Sequence, residues 1–278
     1  MTPVSVRYAT LAYGASETVY LQATMLMVSL LAYAPEPREL VLLTDHPDRF
    51  EWLRDAVRID AVERSQLTSW MGPSPFSMRQ KLEAAASLMR PGAPLVFIDA
   101  DVVAVKSLRQ MAGELAAGAR FMHKREFQLG SNTRRGNLRL WRDLERQKFG
   151  AFEFRAADAM WNSGVLGLPS GDAGLLRDAL GLYDSMAAAG IRHFATEQLV
   201  VGAVLERAGR LLEARQWFTH YWGNKENFTR EIDRRLASIR ERGLTPEAAA
   251  EEYAVDPIRL PAEMRPGRIA KIRRWWRG

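Results

Sequence analysis

Asp99 and Asp101 interrupt an otherwise continuous apolar run, LVFIDADVVAV, from Leu95 to Val105. Two charges in a strand buried on both faces cost on the order of several kcal/mol, unless they sit at its open end with partners. Two residues apart on extended backbone, their carboxylates point the same way. A pair of hard oxygen ligands at a strand end points to a divalent cation, Mg²⁺ or Mn²⁺. Other chemistry-bearing residues fall at comparable places. WNSGVLGLP is an apolar stretch with Asn162, Ser163 and Gly164 at its mouth, and ATEQLVV opens a helix with Glu197 in the first turn. Lys81, in SMRQKLEAAA, lies on the segment that feeds the Asp99 strand.

The elements that must position these residues alternate. VRYATLAY reads as a strand, and Ser16 caps an apolar helix with Glu17 in its first turn. Pro35 and Pro37 stop that helix, and ELVLLTD, Glu39 to Asp45, is a second buried strand. Asp48 to Ala56 is a short helix, AVRID a third strand, Phe76 to Met89 another helix, and the Asp99 run the fourth strand. This βαβαβαβ order calls for an α/β fold with a mostly parallel sheet flanked by helices. Open sheets of this kind bind ligands at the carboxyl ends of their strands. Tyr13, Gly14 and Asp45 end the first two strands there, so Ala12 to Gly14 is a backbone-contact site and Asp45 lies where a base or ribose would sit. Further on, ARFMHK is a strand, the stretch up to about Arg155 is Arg-rich without clear periodicity, and WNSGVLGL returns as a strand. Helices follow over Asp172 to Ala189 and Thr196 to Ala208. Residues 1–225 form one catalytic-type domain and 226–278 a charged, helical extension.

Composition narrows the classes. The 278 residues are 47% hydrophobic and 26% charged, as in an ordinary globular chain. With no cysteine, disulfides, thiolate zinc sites and a cysteine nucleophile are excluded, and a reducing cytoplasm fits. The net charge of +6 favours phosphates and other polyanions. Thr18 to Ala34, the most apolar segment, carries Tyr20, Gln22, Thr24 and Ser29 and no basic flank, so it reads as a buried helix rather than a membrane span.

Taken together, Asp99-Ala100-Asp101, WNSGVLGL, ATEQLVVGAVL and HYWGNK, in that order, resemble the GT-A nucleotide-sugar glycosyltransferases, particularly the family 8, glycogenin-like retaining enzymes. The likeness spans roughly Arg7 to Lys225. It implies a GT-A fold and a metal-binding D-x-D at Asp99 and Asp101, with His220 as third ligand. It implies nucleotide or diphosphate contacts from Lys81, Ala100 and Lys225, a donor-sugar pocket lined by Asn162 and Ser163, and for Asp99 either a metal contact, direct or through water, or a contact to the ribose. Glu197 would then lie closest to the reacting sugar carbon, with Asn162 beside it in catalysis. Two carboxylates and an imidazole suit Mn²⁺ or Mg²⁺. The likeness further implies a UDP-sugar as favoured donor and a glycan or lipid-linked acceptor. Lys225 is followed by Glu-Asn where the family has Pro-Trp, and Thr196 stands where it has Asp. Haloacid-dehalogenase phosphatases also carry D-x-D at a strand end, but on the first strand and followed by other residues than Val102-Val103.

Lys124, Arg125, Arg134, Arg135 and Arg139 offer charge for an anionic acceptor. RPGRIAKIRRWWRG, Arg265 to Gly278, holds six basic residues, no acidic one, and Trp275-Trp276, the ingredients of an anchor on an anionic membrane surface. The expected place is cytoplasmic, peripheral on the inner membrane face, with no nucleic acid as partner. The competing reading is a non-catalytic basic protein that binds membrane or nucleic acid. It accounts for the tail and leaves the aspartates unexplained.

Overall fold

The computed structural model describes residues 5–72, 78–132 and 134–263. In chain order these form β1 (Val6–Ala12), α1 (Glu17–Tyr33), β2 (Arg38–Thr44), β3 (Arg58–Ala61), α2 (Arg64–Met71), α3 (Met78–Leu88), β4 (Leu95–Ile98) and β5 (Val102–Ala104). There follow α4 (Arg109–Ala116), β6 (Arg120–Gln128), α5 (Arg135–Leu144), β7 (Lys148–Phe149), β8 (Phe152–Glu153), β9 (Ala159–Leu168), α6 (Ala173–Ala188) and α7 (Thr196–Arg207). The described chain closes with β10 (Leu211–Glu213), β11 (Phe218–His220), α8 (Lys225–Glu241) and α9 (Pro246–Val255).

The central sheet has seven strands in the order β10-β6-β9-β4-β1-β2-β3. Neighbours are parallel except at β9, which runs against both β4 and β6. The mostly parallel α/β sheet flanked by helices expected from the sequence is therefore present. Alternation along each strand divides its side chains between two layers. Ala9, Leu95 and Phe97 pack with α2, α3, α6 and α7, whereas Tyr8, Val96 and Ile98 pack with α1 and α4. Strand order reverses between β1 and β4, which makes their carboxyl ends a crevice. Thr10 ties the two strands there by donating to the carbonyl of Ile98 at 2.7 Å.

Helix α1 is apolar on all sides because it is covered on all sides. Tyr20, Ala23, Leu26 and Leu30 face the sheet layer, while Met25 and Val28 pack against Phe228, Ile232, Leu236 and Ile239 of α8 and Ala249 and Tyr253 of α9. No helix among the described residues is long and apolar enough to cross a membrane.

Two local expectations are corrected. Leu95 to Val105 is not one strand: β4 ends at Ile98, the chain turns through Asp99 to Asp101, and β5 leaves the main sheet to pair with β11. The backbone groups released by the break find other partners, since Asp99 N donates to Gly164 O at 2.9 Å and Asp101 O accepts from Tyr221 N at 3.1 Å. The Arg-rich stretch contains the helix α5, amphipathic with Leu140 and Leu144 buried and Arg135 and Arg139 exposed.

Candidate active site

The break after β4 decides how the two aspartates meet. Asp99 and Asp101 flank a turn, so their side chains are aimed by that turn and not by strand alternation. The antiparallel pairing of β5 with β11 sets His220 opposite Val102, one residue from Asp101. Ligand atoms of Asp99, Asp101 and His220 lie within 4.8 Å of one another, as a cation site of mixed oxygen and nitrogen donors requires.

The orientation of His220 is fixed from β9. Asn162 Oδ1 accepts the backbone N–H of Gly164 at 3.0 Å and lies 2.8 Å from His220 Nδ1. An oxygen acceptor at Nδ1 calls for a proton on Nδ1, which leaves the lone pair of a neutral ring on Nε2. That atom faces Asp101 Oδ1 at 3.3 Å. Lone pair against carboxylate is repulsive unless a proton or a cation lies there, and the second solution is the usual one in histidine metal sites. The donor set therefore fits a divalent ion. Burial raises the Asp101 carboxyl, but a proton on His220 Nε2 and Lys225, whose Nζ is 3.1 Å from Asp101 Oδ2, outweigh it and hold the carboxyl well below its usual range.

Gly164 is what lets the ring come so close. A Cβ built there would stand 2.3 Å from His220 Nδ1. Gly164→Ala is expected to cost about 1–3 kcal/mol by overpacking and to displace His220. Thermal melts with and without Mn²⁺ check both, and a variant that keeps the wild-type Mn²⁺ response would refute the role given to this glycine.

A second network lies on the other side of Asp99. Lys81, from α3, reaches Asp99 Oδ1 at 2.7 Å, Ser163 Oγ at 3.0 Å and Glu197 Oε1 at 3.8 Å. Ser163 donates to Glu197 Oε2 at 2.8 Å. Glu197 is buried, and its Oε1 has no hydrogen-bond partner. Burial pushes its carboxyl above the usual range, with Lys81 opposing. For Lys81, burial works against the charged form, but Asp99 and Glu197 prevail and its pKa is raised.

The remaining sequence candidates group nearby. Gly14 N donates to Asp45 Oδ2 at 3.1 Å, and the Tyr20 hydroxyl bridges Gly14 O and Asp45 Oδ1. Tyr13, following Ala12 at the end of β1, donates from its hydroxyl to Gln80 Oε1 at 2.6 Å, linking β1 to α3 beside Lys81. Ala100 O lies 3.4 Å from the Tyr221 hydroxyl. Asn162, Ser163 and Gly164 stand in the middle of β9, level with the end of β4 because Ile98 pairs with Val165.

Neither a family model nor a curated sequence matches this chain. Among solved structures it is similar to mouse xyloside xylosyltransferase 1 in its apo form, with a TM-score of 0.50 and 14% identity, over 76% of this chain and 85% of that one. The sheet has the GT-A fold.

Sequence reasoning missed His123. Its ring meets that of His220 edge to face at 5.4 Å, and burial, aided by the charges of His220 and Lys124, pushes its pKa down to about 3. The unfolded chain takes up that proton near its ordinary value of 6.5 and the folded chain does not, so folding loses stability as pH falls through this window. His123→Leu is expected to flatten urea-unfolding stability between about pH 7 and about pH 5, where the wild type loses up to about 1.4 kcal/mol per unit. Parallel pH profiles for the two proteins would contradict it.

Proposed function

We propose that this protein is a metal-dependent glycosyltransferase of the hexosyltransferase type. It takes a sugar from a nucleotide-diphosphate donor, a UDP-sugar, and passes it with retention to a glycan or lipid-linked acceptor. One observation carries the reading: two carboxylates and an oriented imidazole meet at the ligand edge of a GT-A sheet, with a lysine on either side.

Asp99, Asp101 and His220 would hold the cation, Mn²⁺ or Mg²⁺, which when bound supplies a Lewis acid for the diphosphate leaving group. The chain's own residues do the rest. Lys225, on the first turn of α8, adds a point charge where the leaving diphosphate gathers negative charge. Asn162 keeps the His220 ring in one tautomer and offers its amide nitrogen to a donor hydroxyl. Lys81 fixes Asp99 and Glu197 relative to each other. Glu197 Oε1, which makes no hydrogen bond and faces Lys81 at 3.8 Å, is the group assigned to the positive charge that grows at the sugar carbon as the bond to phosphate breaks. Asp45 and the backbone of Ala12 to Gly14 take the nucleoside at the end of β1 and β2, and Ser163 lines the sugar side with Ala100 at the phosphates. The Trp-rich basic segment from Arg265, which lies outside the described residues, is assigned to an anionic membrane on the cytoplasmic side.

A thermal-shift screen of nucleotide sugars with and without Mn²⁺ tests this. The expected result is a melting-temperature rise with a UDP-sugar that depends on the metal. No response to any nucleotide sugar in the presence of Mn²⁺ would remove the reading.

A further inference from the structure

We propose that the rim of the candidate site is itself a membrane-docking face, seated on an anionic bilayer so that the acceptor is presented from the lipid. The acceptor half of this statement rests on the transferase reading above.

Four large hydrophobic side chains stand exposed among the described residues: Met78 at 44%, Phe194 at 68%, Trp222 at 59% and Val255 at 84%. Single exposed apolar residues are ordinary on a soluble surface. Three of these four, however, each precede a site residue by three positions: Met78 and Lys81, Phe194 and Glu197, Trp222 and Lys225. Met78 starts α3, and Phe194 and Trp222 stand just ahead of α7 and α8, so all three lie where helices begin at the edge that carries Asp99 and Asp101. Val255 belongs to the opposite end. The hydroxyl of Tyr33, at the far end of α1, bonds to Ala254 O, and α1 carries the chain about 25 Å from that edge.

The second observation is where the described chain stops. After α9 it returns to the site: Asn224 Nδ2 donates to Pro261 O at 2.8 Å, and Gly223 forms a parallel bridge with Glu263. Glu263, the last described residue, therefore stands next to Trp222 on the rim, and the sequence that follows it, outside the described residues, carries six basic side chains and Trp275-Trp276. Exposed Arg192 adds positive charge next to Phe194. Aromatic and apolar side chains beside Arg192 and Lys225 match the lipid–water interface, where rings sit at the headgroups and cations meet anionic lipid, with Glu226 and Glu263 as the acidic neighbours the tail's charge must outweigh. Nucleic acid would answer the charge and stack its bases on Phe194 and Trp222, but would leave the aliphatic Met78 without a purpose.

Because the chain has no cysteine, one introduced thiol is unique. Full-length Phe194→Cys, Trp222→Cys and Val255→Cys, each carrying a polarity-sensitive fluorophore, are mixed with vesicles of phosphatidylcholine alone or with about one-third phosphatidylglycerol. The expected result is a blue shift at positions 194 and 222 with anionic vesicles only, weakened by salt, and none at 255. Phe194→Ser with Trp222→Ser is expected to lower co-sedimentation with anionic vesicles at least about tenfold, with an unchanged melting temperature and unchanged UDP-sugar response. No shift at either rim position, vesicle binding that survives the double change, or a response to RNA in place of vesicles would overturn the docking face. Vesicle binding without any nucleotide-sugar response would instead retire the transferase reading and leave the docking face standing.

Discussion

Asp101→Ala is expected to lower metal-dependent turnover of a UDP-sugar by at least about a thousandfold, roughly 4 kcal/mol of transition-state stabilisation. The carboxylate does two things at once. It lies within reach of His220 and Asp99 as a cation ligand, and it pairs with Lys225 at 3.1 Å. Its removal takes away one of the three candidate ligands and frees the lysine from its place. The fold is expected to tolerate the change, because the contact that ties this turn to the end of β11 runs through the Asp101 carbonyl and Tyr221 N. The measurement is therefore paired: initial rates with Mn²⁺, and the Mn²⁺-dependent rise in melting temperature. Retention of both at wild-type size would sink the metal assignment, whereas loss of both with an intact apo melt is the expected pattern.

The second large effect is on stability. Lys81→Met leaves Asp99 and the buried Glu197 without their shared cation, and breaking a buried pair from one side costs about 3–5 kcal/mol. Two observations make this site a severe case. Glu197 has only Ser163 as hydrogen-bond partner, and burial already drives its carboxyl upward. Adding Glu197→Gln removes one of the stranded charges, so Lys81→Met with Glu197→Gln is expected to be more stable than Lys81→Met alone. Chemical unfolding of the four proteins gives the coupling energy directly. Strict additivity would show that Lys81 and Glu197 do not act on each other.

Several parts of this arrangement were legible in the residues alone. The order of apolar strands and amphipathic helices, read by period, required a parallel α/β sheet with Asp99 and Asp101 at its ligand edge. The Pro-stopped segment from Glu17 to Tyr33 read as a buried helix, and it is one, although Ser16 at its N-cap position makes no side-chain capping hydrogen bond. These features are local: a period, a cap or a charge in an apolar run is visible within a dozen residues.

Tertiary structure decided what depends on pairing between distant segments. The run from Leu95 to Val105 looks continuous because each residue in it suits a strand, yet β5 departs because its partner is β11, more than a hundred residues later. No local pattern reports such a partner. The same pairing carries His220 to Asp101, and the antiparallel course of β9 brings Asn162 and Gly164 to the imidazole. Even the glycine of WNSG acquires its reason only there, as the space that a histidine ring fills. Residue types and their order along the chain were therefore enough to point to the α/β sheet and to a candidate cation site at Asp99 and Asp101. The position of each donor, and the return of Glu263 to the rim beside Trp222, follow from strand pairing and packing, whose energies arise between residues far apart in sequence.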